Sequence, residues 1–208
     1  MASDPTKATA HTVITGELAE RGSWVVACVE PQIPWPTSVQ KLTYRGQAIF
    51  VLPQFDDCYP SIVMRLGEGI SRRQDAQVLI FNLLSALCWV QGRGALVEYW
   101  TSGSMPIPMA GFARSGINVL TTDYFRVHYL PDILDQKTRW ALSFYREGLS
   151  MRHTPYAFLS FYKIINILHK SGATQKAWIN ENVDDAVRHR AKERLQEIRA
   201  DHNVGLYL

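Results

Sequence analysis

The sequence predicts an α+β protein, with a β-rich N-terminal part enclosing one buried helix and a C-terminal antiparallel helical part. Three observations carry this. Short β-branched runs punctuated by Pro and Gly fill the first half, beginning with "WVVACV" at 24–29. A long Leu- and Ala-rich stretch free of Gly and Pro, "DAQVLIFNLLSALCWV" at 75–90, interrupts them. From Leu134 onward the apolar residues recur at three- and four-residue spacing. With 208 residues, 47% hydrophobic and 20% charged, the chain can bury an ordinary core.

Residues 1–11 are small and polar and are expected to be loosely ordered. The strand at 24–29 is stopped by "EPQIPWP", whose prolines remove ladder donors. "KLTYRGQAIFVL" (41–52) reads as a hairpin, with Arg45, Gly46 and Gln47 between two β-prone runs and Gly46 free to take positive φ. "SIVMRL" (61–66) predicts a third strand. The 75–90 segment is apolar nearly all round, as a helix buried against a sheet is, and Gly92 and Gly94 bound it. "ALVEYW" (95–100) returns to strand character, "TSGSMPIPMAGFARSG" reads as loop, and "INVLTTDYFRVHYL" as one or two further strands.

The segment "DILDQKTRWALSFYREGLS" predicts an amphipathic helix ending near Gly148 to Ser150. A second helix follows, with Thr154 as N-cap, Pro155 in the first turn, and Gly172 as its stop. On it Phe158, Phe161, Tyr162, Ile165 and Leu168 form an apolar seam expected to face the first helix, while Ser160, Lys163, Asn166 and Lys170 form a solvated polar stripe. Trp178 is expected to dock back over this hairpin. "DDAVRHRAKERLQEIRA" (184–200) adds a last helix with Val187, Ala191, Leu195 and Ile198 as its seam. The organisation expected is a loose terminus at 1–11, an α+β domain at 12–133 and a helical domain at 134–208. The apolar ending "NVGLYL" means either that Val204 to Leu208 pack into the core or a partner, or that the chain is the front part of a longer protein.

Net charge is +3, too mild to demand nucleic acid or an anionic membrane. From Leu134 to the end there are 12 Lys/Arg against 8 Asp/Glu, whereas the first 133 residues carry 10 against 11. The cysteines Cys28, Cys58 and Cys88 stand thirty apart without a CxxC pair, which suits a reducing cytoplasm better than a disulfide or zinc framework. "MASDPTKATAHT" lacks the features of a signal peptide, and no apolar run is long enough to span a membrane. No cofactor is predicted.

Catalytic motifs are sparse. There is no GxSxG elbow and no phosphate loop, and Ser102, Ser104 and Ser115 have no identifiable His and Asp partners. Asp56 and Asp57 read as a turn. Asp185, His189 and Glu193 lie at i, i+4, i+8 and could offer metal ligands, but they diverge too far along one helix to close a site alone. The basic residues make the better case: Arg188, Arg190 and Arg194, together with Lys163, Asn166 and Lys170, could contact the phosphates of RNA or a nucleotide.

The C-terminal series "ALSFYREGLS", "TPYAFLSFYKIINIL", "QKAWIN" and "VGLYL" resembles the uncharacterised family named after methylamine utilisation protein MauJ, whose helical part looks like a HEPN (higher eukaryotes and prokaryotes nucleotide-binding) domain. The resemblance covers roughly residues 138–208. The helical part is expected to pair with a second copy or a partner through the 184–208 region of its C-terminal helices. Many HEPN domains are metal-independent ribonucleases using an Arg with a His a few residues on, and others are inactive binding or scaffold versions. The family would place that pair just after "GLYL", where this chain ends. Arg146 and His153 satisfy the spacing by count but straddle the hairpin turn. The expected role is therefore non-catalytic binding or assembly, with a HEPN-type ribonuclease or toxin-like effector as the alternative.

Overall fold

The computed structural model describes residues 9–182 apart from 68, 113–118, 126, 132 and 134. The chain forms two compact units, Met1–Phe161 and Tyr162–Leu208. The first is built on a five-stranded antiparallel sheet in the order β3-β4-β5-β1-β6. Its strands are β1 (Ser23–Pro31), β3 (Gln40–Tyr44), β4 (Gln47–Leu52), β5 (Ser61–Leu66) and β6 (Ala95–Gly103). The two-residue strands β2 (Trp35–Pro36) and β7 (Thr121–Thr122) pair in parallel beside it. Helices follow in the C-terminal part, so the protein is α+β.

The apolar run at 24–29 is continuous because β1 lies inside the sheet and both of its faces are covered. Val25, Ala27 and Val29 enter one core with Ile49, Val51, Ile62 and Met64, under helix α2 (Arg73–Gln91). Trp24, Val26 and Cys28 enter a second core with Phe50, Leu52, Val63 and Phe112 on the opposite face. Val13, from the single-turn helix α1 (Ala10–Val13), and Leu18 close that second core. The expected hairpin is present with a two-residue turn, since Arg45 and Gly46 both take positive φ (51° and 76°) and Gln47 already belongs to β4. Gly92 ends α2 in the left-handed conformation at φ 62°, its N–H donating to the Cys88 carbonyl.

Helix α3 (Gln136–Ser150) starts later than its apolar pattern does, because Asp135 caps it by accepting from the Thr138 N–H at 2.9 Å. It packs on α2 and meets β6. Helix α4 (Thr154–Leu168) begins at Thr154 itself, with the His153 carbonyl accepting from the Ala157 N–H at 3.0 Å, so the cap lies one residue before Thr154. Phe161 of α4 seats on α3: a Cβ on Gly148 would fall 2.7 Å from its ring, and Tyr145 stands 5.8 Å away between ring centres. The predicted seam is otherwise wrong at its ends, where Phe158 and Leu168 are 63% and 69% exposed. The stripe is wrong at Ser160, which is buried.

In the second unit Gly172 does not stop a helix but opens one, α5 (Gly172–Asn182). The reason is Ser171, whose Oγ accepts from the Thr174 N–H at 3.2 Å and whose carbonyl accepts from the Gln175 N–H at 3.0 Å. Trp178 lies within α5, its ring 5.7 Å from that of His169. Among the described residues no helix is long and apolar enough to cross a membrane. The expected helix at 184–200 and the Val204 to Leu208 ending lie outside the described residues.

Candidate functional site

The most developed site is a cleft of about 670 Å³ in the first unit, where the end of α3 passes the edge strand β6. Two local devices build it. A bulge interrupts the β1–β6 ladder: Cys28 pairs with Tyr99 but Val29 with Val97, leaving Glu98 as the extra residue. Ala95, Val97 and Trp100 therefore all turn toward the α2 core, and Glu98 is freed from regular alternation. The second device is Gly94. A Cβ there would sit 2.8 Å from the backbone of Leu149 and Ser150, so only glycine admits α3 so close. Ser150 Oγ then accepts from the Ala95 N–H at 3.1 Å and donates to the Arg146 carbonyl at 2.7 Å, fixing the helix end to the strand start.

On the strand side the bulge sets Glu98 of β6 close to Glu30 of β1, and both line the cleft. Burial raises the Glu30 pKa, the contact with Glu98 raises it further, and Arg152 opposes both. Arg152 Nη2 stands 2.7 Å from Glu30 Oε1, with the Arg152 side chain 75% exposed and that of Glu30 13%. Tyr59 lies beside the pair, its ring packed edge-on against Tyr99 at 5.5 Å and Phe112 at 5.1 Å. Burial, and then the neighbouring Tyr99 and Glu98, push its phenol up, so it stays neutral.

On the helix side Arg146 reaches from α3 toward α2. Its Nε donates to Ser85 Oγ at 3.2 Å, and its guanidinium carbon lies 4.5 Å from the centre of the Phe81 ring. Burial lowers its pKa, partly offset by Cys88 and Glu147. The Cys88 thiol is pushed up to about 12 by burial, which keeps it neutral. Among the described residues Arg146 forms no ion pair, although both it and Arg152 line the cleft with Glu30, Glu98 and Glu147.

The residues singled out from sequence are scattered. Arg146 is in the cleft, whereas His153 is exposed at the start of α4 with its ring 4.9 Å from that of Tyr156. In the second unit Asn166 Oδ1 accepts from Gln175 Nε2, which also donates to the His169 carbonyl at 2.7 Å, and Tyr162 Oη donates to Gln175 Oε1. Asn166 is thus a partner of the buried Gln175, and Lys163 and Lys170 are exposed. Asp56 and Asp57 do form a turn, closed by Cys58 N–H to the Phe55 carbonyl at 2.9 Å. Arg188, Arg190 and Arg194, like Asp185, His189 and Glu193, lie outside the described residues. No group of three or more His, Cys, Asp or Glu able to hold a metal ion occurs among the described residues.

Sequence reasoning missed Glu30, Glu98, Tyr59 and Arg152. One signal was present: Glu98 stands alone among the apolar residues of "ALVEYW".

Residues 141–208 match the model of a family described as Methylamine utilization protein MauJ. The match takes in Arg146 and Arg152 but none of Glu30, Tyr59, Phe81 and Glu98. No curated protein and no solved structure matches the chain.

Proposed function

From a chain whose C-terminal third is MauJ-like, we propose a non-catalytic binding protein whose first unit receives a small organic anion at Arg146. The observation that carries this is a largely desolvated guanidinium with one side-chain hydrogen bond and no ion pair among the described residues, lining a cavity of about 670 Å³. A buried charge is costly until it is paired, and a planar carboxylate accepts two parallel N–H bonds from a guanidinium. The family description associates the chain with methylamine utilization, and a binding role requires no reaction of its own.

Isothermal titration of the chain with hexanoate tests the reading. Saturable binding lost in Arg146→Met supports it, and binding that survives this substitution, or no binding at all, rejects it.

An assembly role is the second reading, supported by Tyr156, Phe158 and Leu159 standing largely exposed on the first half of α4. A homodimer through the helices of 134–208 would cover them. RNA or nucleotide contact through Lys163, Asn166, Lys170, Arg188, Arg190 and Arg194 belongs to the same reading, and its catalytic alternative is a HEPN-type ribonuclease or toxin-like effector whose Arg-His pair lies beyond Leu208 or comes from a partner, with Arg146 and His153 as the weaker candidates within the chain. Light scattering decides the dimer. RNA affinity that does not fall between low and moderate salt rejects phosphate contact, and RNA left uncut by this chain rejects Arg146 and His153 as a catalytic pair.

A further inference from the structure

We infer that the guest of the cleft is a zwitterion with an apolar body, its carboxylate held by Arg146 and its protonated amine by the Glu30 and Glu98 carboxyls. This rests on the reading of the cleft as an anion site and adds the other end of the ligand. The lining carries both signs, Arg146 and Arg152 against Glu30, Glu98 and Glu147. A phosphate dianion would meet three glutamates there, whereas a molecule with one charge of each sign finds an opposite partner for both.

The strand end is organised for a cation. Glu30 and Glu98 come from adjacent strands and are brought together by the bulge, and the cation already on Glu30 is the exposed guanidinium of Arg152. Arg152 is the exposed partner and can return to water, so an ammonium group can take its place on the more buried Glu30. A metal ion is the poorer guest, because no third His, Cys, Asp or Glu among the described residues joins the pair. Neutral Tyr59 offers a hydroxyl beside the carboxyls, while Phe81 and Leu96 supply apolar wall. An amino acid with an aliphatic side chain or an ω-amino acid has this chemistry.

Titration of the full chain at pH 7 with L-leucine, 6-aminohexanoate, hexanoate and hexylamine tests it. At least one of the two zwitterions is expected to bind about tenfold or more tighter than both hexanoate and hexylamine. Glu98→Gln, which keeps shape and removes charge, is expected to erase that advantage, so that the zwitterion binds no tighter than hexanoate. Glu30→Gln serves as the second variant should Glu98→Gln unfold. A smaller advantage, or one that survives both substitutions, overturns the zwitterion, and the anion site stands if hexanoate still binds. Binding of none of the four probes removes both.

Discussion

The central sheet and helix α4 carry similar loads of aromatic and aliphatic residues, yet they use them differently. Along β1 every residue from Trp24 to Val29 is buried, because the strand has a neighbour on each edge and a core on each face. Along α4 Phe158, Leu159 and Leu168 are exposed, and Phe161 packs because Gly148 opens a place for its ring. An apolar pattern states what a segment can bury. Whether it does so depends on a facing surface, which the pattern does not contain.

Stability measurements can break this contrast. Leu83→Ala, at a fully buried position of α2, is expected to cost about 2–5 kcal/mol in urea unfolding. Phe158→Ala is expected to stay within about 0.5 kcal/mol. A large cost at Phe158 would show that α4 has a covering surface and would erase the difference. Next in size are the two close approaches. Gly94→Ala and Gly148→Ala each place a methyl under 3 Å from other atoms, and a loss of about 1–3 kcal/mol is expected. Gly94→Ala should be the worse, since it meets backbone, whereas Gly148→Ala meets a ring able to turn.

The pH dependence sharpens the account of the cleft. Folding raises the Glu30 pKa above its ordinary 4.5, so the folded chain binds protons more tightly there. Its contribution is complete below the unfolded value and is lost as pH rises through the folded one. Glu98→Gln removes a charge and the carboxyl contact, so the variant should lose less stability than the parent when pH rises above about 4.5. Equal slopes in urea titrations of the two proteins would mean that Glu30 and Glu98 do not interact in solution.

The smallest effect concerns the thiols. All three cysteine pKa values are raised, chiefly by burial, and only Cys58 is partly exposed. Disulfide-exchange reagents should therefore label Cys58 slowly and first, reaching Cys28 and Cys88 on unfolding. Rapid labelling of two or more thiols in the native protein would contradict the double-sided core.

Much of the fold was legible. The run at 24–29, the turn at Arg45 and Gly46, the strand at 61–66 and the helix bounded by Gly92 each rest on local chemistry, and each is present. Where local reading failed, a competing local signal was underweighted. Ser171 as a cap turns Gly172 from a stop into a start. Asp135 as a cap overrides an apolar pattern that begins earlier.

By itself the sequence determined the main strands and helices of the first 100 residues, the α+β class and the MauJ-like character of the C-terminal third, because propensity, capping and family pattern are written in neighbouring residues. Tertiary structure alone decided the cleft. Glu30, Tyr59, Phe81, Glu98 and the pair Arg146 and Arg152 come from five separate segments of the chain and share no motif. They meet because one bulged residue re-aims a carboxyl and one glycine lets a helix end come within contact of a strand, and both depend on what lies across the gap.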